Sequence, residues 1–279
     1  MSRGIYPALG VTTPFDPTYK LVTSHFVSPT VLAAFRLALA VYSLVTLIIY
    51  LIYDSVTLHD GETFLSYFTH LSYIGLCAYF FASGVQTFFF ARSLKRHYQS
   101  YPTGADTYPL QKWPRFLQFL HSLLFSTIST FPILVTIVFW ALLSDPTTLG
   151  TPFNAWENIS FHAMNSGFVV LEIFLGRMGP SPWSHLPFLV LMLAGYLGVA
   201  YVTHATQGFY TYSFLNPAHG GGRLAGYIIG ILVAELIIFA IVWVVCWLRD
   251  RPFRNRPYMA GISSEAVDMA EKAETPSPV

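Results

Sequence analysis

Residues 224–248 read LAGYIIGILVAELIIFAIVWVVCWL, an apolar run whose one ionisable residue is Glu235. As a helix it extends roughly 37 Å at 1.5 Å per residue. That exceeds the ~30 Å of hydrocarbon in a bilayer, which about 20 apolar residues span. Five comparable runs lie upstream, near Val31–Tyr53, Leu65–Ala91, Phe116–Leu143, Trp156–Leu175 and Leu186–His204. No alternating ten-residue pattern recurs, and an open sheet cannot satisfy its backbone in lipid, so strands are not expected. The fold class expected is all-α: a polytopic membrane bundle of six transmembrane helices in one domain, residues 30–250. Residues 1–29, polar and rich in Pro and Thr, read as a loose N-terminal tail without the pattern of a cleavable signal peptide. Residues 251–279 read as a disordered C-terminal tail, basic and then acidic, that ends SSEAVDMAEKAETPSPV.

Composition agrees with this reading. Apolar residues make up 54% of the chain and charged residues 10%, against about 25% charged in soluble domains. A net charge of +1 offers no basic stripe for nucleic acid. Cys77 and Cys246 lie inside apolar runs and read as packing residues, with no disulfide framework.

Orientation follows from the basic residues. Arg3 and Lys20 precede the first run. Arg92, Lys95, Arg96, Lys112 and Arg115 follow the second, Arg177 the fourth, and Arg249, Arg251, Arg254, Arg256 and Lys272 the sixth. The opposite loops, 54–64, 144–155 and 205–223, hold Arg223 alone, and Arg36 is expected to snorkel towards the richer side. Both termini are therefore expected to be cytosolic.

Ionisable residues inside spans are costly and mark function. Here they are His70, His121, His162, Glu172, His204 and Glu235. At 1.5 Å per residue, Thr69 and His162 each fall about 9 Å or less inside the non-cytosolic surface. His70 and His204 share that depth. A threonine hydroxyl needs a base to become a nucleophile, and an imidazole suits that task. The bland alternative has Thr69 bonding back to the Leu65 carbonyl and the histidines bridging helices.

Several segments resemble the androgen-induced-protein family of multipass membrane threonine hydrolases. Tyr67-Phe68-Thr69 is similar to the family's aromatic-Leu-Thr segment, and Phe131-Pro132 with Val138-Phe139-Trp140 to its FP…VFW pattern. Trp156, Asn158 and His162 keep its W-x-N-x-x-x-H spacing. Gly195-Tyr196, Val202–Thr206 and Tyr212–Leu215 resemble its GY…VHHVTG…YPFL, with one residue inserted near Gln207. The resemblance covers about Leu65 to Leu215. Three departures stand out: His70 replaces an apolar residue, Ser72 stands where some members carry Asp or Asn, and Ile159 replaces a histidine.

The resemblance implies an intramembrane hydrolase of fatty acid esters of hydroxy fatty acids, with Thr69 as nucleophile, His162 as general base and no cofactor. His204 and Asn165 are candidates for orienting His162 or contacting the oxyanion. The partner expected is an amphiphilic lipid ester entering from the bilayer of the endoplasmic reticulum or plasma membrane, with the site towards the luminal or extracellular face. Loop 205–223, aromatic and glycine-rich, suits a cover hinged at Gly220–Gly222. Glu172 and Glu235 are expected to pair within the bundle, and Gly75, Gly84, Gly226 and Gly230 to be close-packing points. The rival readings are a bis-histidine haem protein, pairing His70 with His162 and His121 with His185, and a non-catalytic lipid-binding scaffold. A transporter finds no inverted repeat to support it.

Overall fold

The computed structural model describes residues 4–99 and 107–253, and every regular element among them is helical. A short turn, α1 (Ile5–Ala8), precedes the long helices α2 (Pro29–Tyr53), α3 (Phe68–Gln99) and α4 (Arg115–Val138). Then come α5 (Pro152–Ile159), α6 (Asn165–Leu175), α7 (Leu186–Gln207) and α8 (Gly221–Asp250). Local chemistry sets several boundaries. The Ser28 side chain accepts from the Val31 N–H at 3.3 Å with Pro29 at the first helical position, and Thr151 caps α5 through Asn154 in the same way.

Five segments are long and apolar enough to cross a membrane: Pro29–Leu58, Phe68–Lys95, Arg115–Leu143, Trp183–Gln207 and Gly221–Phe253. The other expected span, Trp156–Leu175, is built differently. A π-helical turn at Ser160–Met164 joins α5 to α6, so no single helical piece there reaches membrane length. Outward faces are apolar, with Leu191, Val202, Ile229 and Ile241 all more than half exposed. Exposed apolar surface of this extent suits lipid as its solvent.

α2 and α3 share the most extensive contact, and α4 packs on α3, α6 and α8. Gly84 admits the close approach of α2, since a Cβ there meets Leu37 Cδ2 at 2.8 Å. Gly75, Gly226 and Gly230 have no such neighbour, so of the expected close-packing glycines only Gly84 serves that purpose within the chain.

Arg36 does not snorkel. It is fully buried, with Nε donating to Glu172 Oε2 at 3.1 Å and Nη2 to Oε1 at 2.5 Å. Its Nη1 donates to the Leu21 carbonyl and Thr87 Oγ1, while the Tyr79 hydroxyl donates to Glu172 Oε1 at 2.8 Å. Glu172 therefore pairs as expected. Glu235 does not: it is fully buried beside Thr130, and neither carboxyl oxygen has a cationic partner among the described residues.

The N-terminal stretch is not loose. Val11, Phe15, Leu21 and Val22 are buried against Phe90, Tyr108, Phe119 and Leu123, forming a second core beneath one end of the bundle. The Asp16 carboxylate accepts from the Lys20 and Leu21 N–H groups and from the Tyr108 hydroxyl at 2.7 Å. Apolar residues spaced irregularly between prolines carry no helical or strand period, so their burial is invisible until the bundle supplies a surface. Of the C-terminal tail, only 251–253 is described. Arg249 points inward, donating to the Ile173 and Met178 carbonyls. Arg254, Arg256 and Lys272 lie outside the described residues, as does Arg3.

His25 stacks on Phe253, ring centroids 3.8 Å apart. Burial, then the nearby Arg177, holds its imidazole down at about 4. The neutral form is therefore the one the fold keeps. Its contribution to stability is complete above the ordinary histidine range near 6.5 and is lost as pH falls from there towards 4. The thermal midpoint in micelles is expected to drop over that interval, and to drop less in His25→Phe, which keeps the stack without titrating. Equal slopes in both proteins would refute this assignment.

Candidate functional site

α3 begins at Phe68, after the 3₁₀ segment Gly61–Ser66 and an extended Tyr67. Thr69 thus stands in the first turn of a helix. Leu65 lies in the 3₁₀ segment, out of line with the helix, and the Thr69 hydroxyl makes no bond back to its carbonyl among the described residues. The first N–H groups of α3 have no intrahelical acceptor. The Tyr212 phenol lies beside the start of α3, within interaction range of Phe68, Thr69 and Tyr196.

Thr69, Tyr196 and Tyr212 are the polar side chains on the wall of a cavity of ≈ 200 Å³. The rest of that wall is apolar, with Leu134, Val135 and Val138 from α4, Leu193 and Leu197 from α7, and Ile228, Ile231 and Leu232 from α8. Tyr212, Phe214 and Leu215, from the loop after α7, also line the cavity. The loop's two ends turn at Gly208 (φ +82°) and Gly220 (φ +107°), left-handed conformations that a side chain disfavours. Tyr196 further anchors this region by donating to the Ser66 carbonyl at 3.1 Å, and Thr203 by donating to Ser66 Oγ at 3.0 Å.

His162 lies in the π-helical turn Ser160–Met164, buried, with Nδ1 unpartnered. Its ring stacks flat on Phe139 at 3.5 Å between centroids, and Phe139 belongs to a second π turn, Phe139–Leu143. π turns are rare and concentrate at functional sites. Trp140 Nε1 donates to the His162 carbonyl at 2.9 Å, linking the two turns again. Phe139 also lines the cavity that holds Thr69. Among the described residues no hydrogen bond joins Thr69 to His162; Phe139, stacked on His162, lines the cavity whose wall includes Thr69.

Of the supporting candidates, Asn165 is engaged elsewhere, whereas His204 Nδ1 has no hydrogen-bond partner among the described residues. Asn165 donates to the Pro132 carbonyl at 3.4 Å and accepts from Thr136 at 3.1 Å, tying α6 to α4. His204 stacks on Tyr210 at 3.8 Å, at the root of the loop after α7. His70 sits in an aromatic cage, stacked on Phe64 at 4.3 Å, with Nδ1 bonded to the Phe64 carbonyl at 2.7 Å. The His121–His185 pair needed for a second haem does not form. Both His185 nitrogens are occupied, one by Ser126 Oγ at 2.7 Å and the other by the Leu9 carbonyl at 3.1 Å, while His121 stacks on Tyr79.

Tyr212 and Phe139 are the residues whose role the sequence did not single out, although both stand in segments that carried the resemblance. Tyr212→Phe, which removes the phenol's polar contacts at the start of α3, is expected to lower the thermal midpoint in micelles. An unchanged midpoint would mean that the phenol contributes nothing there. Comparisons of the chain with protein-family models, with curated proteins and with solved structures return no match.

Proposed function

We propose that this chain is an intramembrane hydrolase of lipid esters, with Thr69 as nucleophile and His162 as base. The observation that carries it is the cavity: an apolar pocket sized for acyl chain, polar only where Thr69, Tyr196 and Tyr212 meet. The ordered resemblance from Leu65 to Leu215 supports the same reading and names fatty acid esters of hydroxy fatty acids as the substrate class. The bundle then spans the bilayer six times, counting Pro152–Leu175, with both termini cytosolic and the site towards the luminal or extracellular face of the endoplasmic reticulum or plasma membrane.

Thr69 Oγ attacks the ester carbonyl carbon while His162 takes the hydroxyl proton. The carbonyl oxygen, now negative, is received by the first-turn N–H groups of α3, where the helix dipole also favours negative charge. Collapse breaks the bond to the alkoxy oxygen, which leaves with the proton from His162. Water, deprotonated by the same histidine, then releases the fatty acid and restores Thr69.

The experiment is hydrolysis of a fatty acid ester of a hydroxy fatty acid by membranes that express the wild type, Thr69→Ala or His162→Ala at equal levels. Activity in the wild type alone supports the assignment; undiminished activity in either variant, or none in the wild type, overturns it.

A further inference from the structure

The connection between α6 and α7 meets α4 at Ser126, in a hydrogen-bonded cluster that chemistry at Thr69 does not use. Ser126 Oγ lies 2.7 Å from His185 Nδ1, just before α7, and 2.8 Å from Ser181 Oγ in the connection. His185 Nε2 meets the Leu9 carbonyl at 3.1 Å. Ser126 and His185 are 0% exposed, but Ser181, 8% exposed, stands on the wall of a cavity of ≈ 280 Å³. That cavity shares no lining residue with the one that holds Thr69. Leu134, the first α4 residue on the Thr69 cavity, lies roughly 12 Å further along the helix than Ser126.

The proton positions in the cluster follow from its ends. A carbonyl can only accept, so Nε2 carries the proton and, in the neutral ring, Nδ1 is left as the acceptor. Ser126 has one proton and three acceptors in reach: Nδ1, Ser181 Oγ and, at 3.3 Å, the Ser122 carbonyl. Nδ1 is the nearest of the three, and among the described residues it has no other donor. With the Ser126 proton committed there, its oxygen is available to accept from Ser181. The order is then Ser181, Ser126, His185 and the Leu9 carbonyl: a hydroxyl on a cavity, a relay, a base and a group that orients the base. Fastening the N-terminal segment does not explain this order, because Ser184 already ties the connection to the Ala8 carbonyl at 2.5 Å.

We propose that Ser181 is the nucleophile of a second ester-cleaving site, with Ser126 relaying its proton to His185. The wall indicates the substrate class. Thr12, Asp16, Thr18 and Lys20 give this cavity polar groups that the Thr69 cavity lacks, so it takes a small polar ester rather than an acyl chain. Ser181 Oγ bonds to the ester carbonyl carbon as its proton passes to Ser126 and the Ser126 proton passes to His185 Nδ1. The bond from that carbon to the alkoxy oxygen then breaks, and the proton returns along the same route to the departing alcohol. Water, losing its proton by the same path, cleaves the acyl-Ser181 ester, releases the acid and restores the hydroxyl. Thr69 takes no part, so this site stands whether or not Thr69 is catalytic.

The test treats the full chain in micelles with diisopropyl fluorophosphate, which loses fluoride to a nucleophilic serine, and maps the modified residue by peptide mass spectrometry. Ser181 is expected to react at least tenfold faster than Ser122, which lines the same cavity without an imidazole partner among the described residues, and only in folded protein. Ser126→Ala and His185→Gln, checked for unchanged thermal midpoints, are expected to slow modification of Ser181 about 10²-fold or more. Thr69→Ala is expected to leave it unchanged. Should either variant fold poorly, the wild-type comparison of Ser181 with Ser122 decides alone, since it needs no substitution. An unmodified Ser181, equal modification of Ser181 and Ser122, or a folded Ser126→Ala protein modified as fast as the wild type would each overturn the proposal. Loss of lipid-ester hydrolysis in Thr69→Ala with Ser181 still reactive separates the two sites.

Discussion

Thr69→Ala is expected to lower ester hydrolysis about 10³-fold or more, because no other hydroxyl on the cavity wall stands in the first turn of a helix. Thr69→Ser keeps the hydroxyl and is expected to retain measurable turnover. His162→Ala is expected to cost about 10²–10⁴-fold, the usual range for general acid–base help. The pattern across variants matters more than any one value. If Thr69 and His162 act as a pair, the double variant loses little more than the worse single variant. Multiplied losses would show that the two residues contribute separately, with His162 reduced to packing on Phe139. Initial rates with one ester at saturating and limiting concentration give kcat and kcat/KM for each protein and decide between these outcomes.

Arg36→Met is expected to destabilise the fold by about 3–5 kcal/mol, the cost of leaving a buried carboxylate without its partner. Four groups depend on this guanidinium: both Glu172 oxygens, Thr87 and the Leu21 carbonyl. Its loss frees the N-terminal segment from α2 and leaves Glu172 with the Tyr79 hydroxyl alone. Removing both charges in Arg36→Met/Glu172→Met is expected to recover most of the loss, because a buried pair gains little over apolar packing of similar volume. Denaturation in micelles, followed by circular dichroism, measures both. A double variant as unstable as the single one would show that the polar contacts to Leu21 and Thr87 matter more than the unpaired charge.

Much of this architecture was legible in the chain. The run at 224–248 and four of its counterparts specify membrane-length helices by length and hydropathy, whereas Trp156–Leu175 is interrupted by a π turn. Thr69 and His162 could be matched by depth because a helix converts sequence distance into height. Glu172 finds the partner expected of it, whereas Glu235, expected to pair as well, has no cationic partner among the described residues.

What sequence by itself determined about this protein is therefore its class: helical, apolar outward, with a threonine and a histidine placed near one end. The tertiary structure alone decided which side chains meet. Depth along a helix says nothing about azimuth, so Phe139 on His162, Tyr212 over Thr69 and Arg36 turned inward to Glu172 were all out of reach. The N-terminal segment shows the same limit from the other side. Without a repeating pattern of its own, it has no preferred burial until α3 and α4 present Phe90 and Phe119 to it, and only the assembled bundle makes that surface.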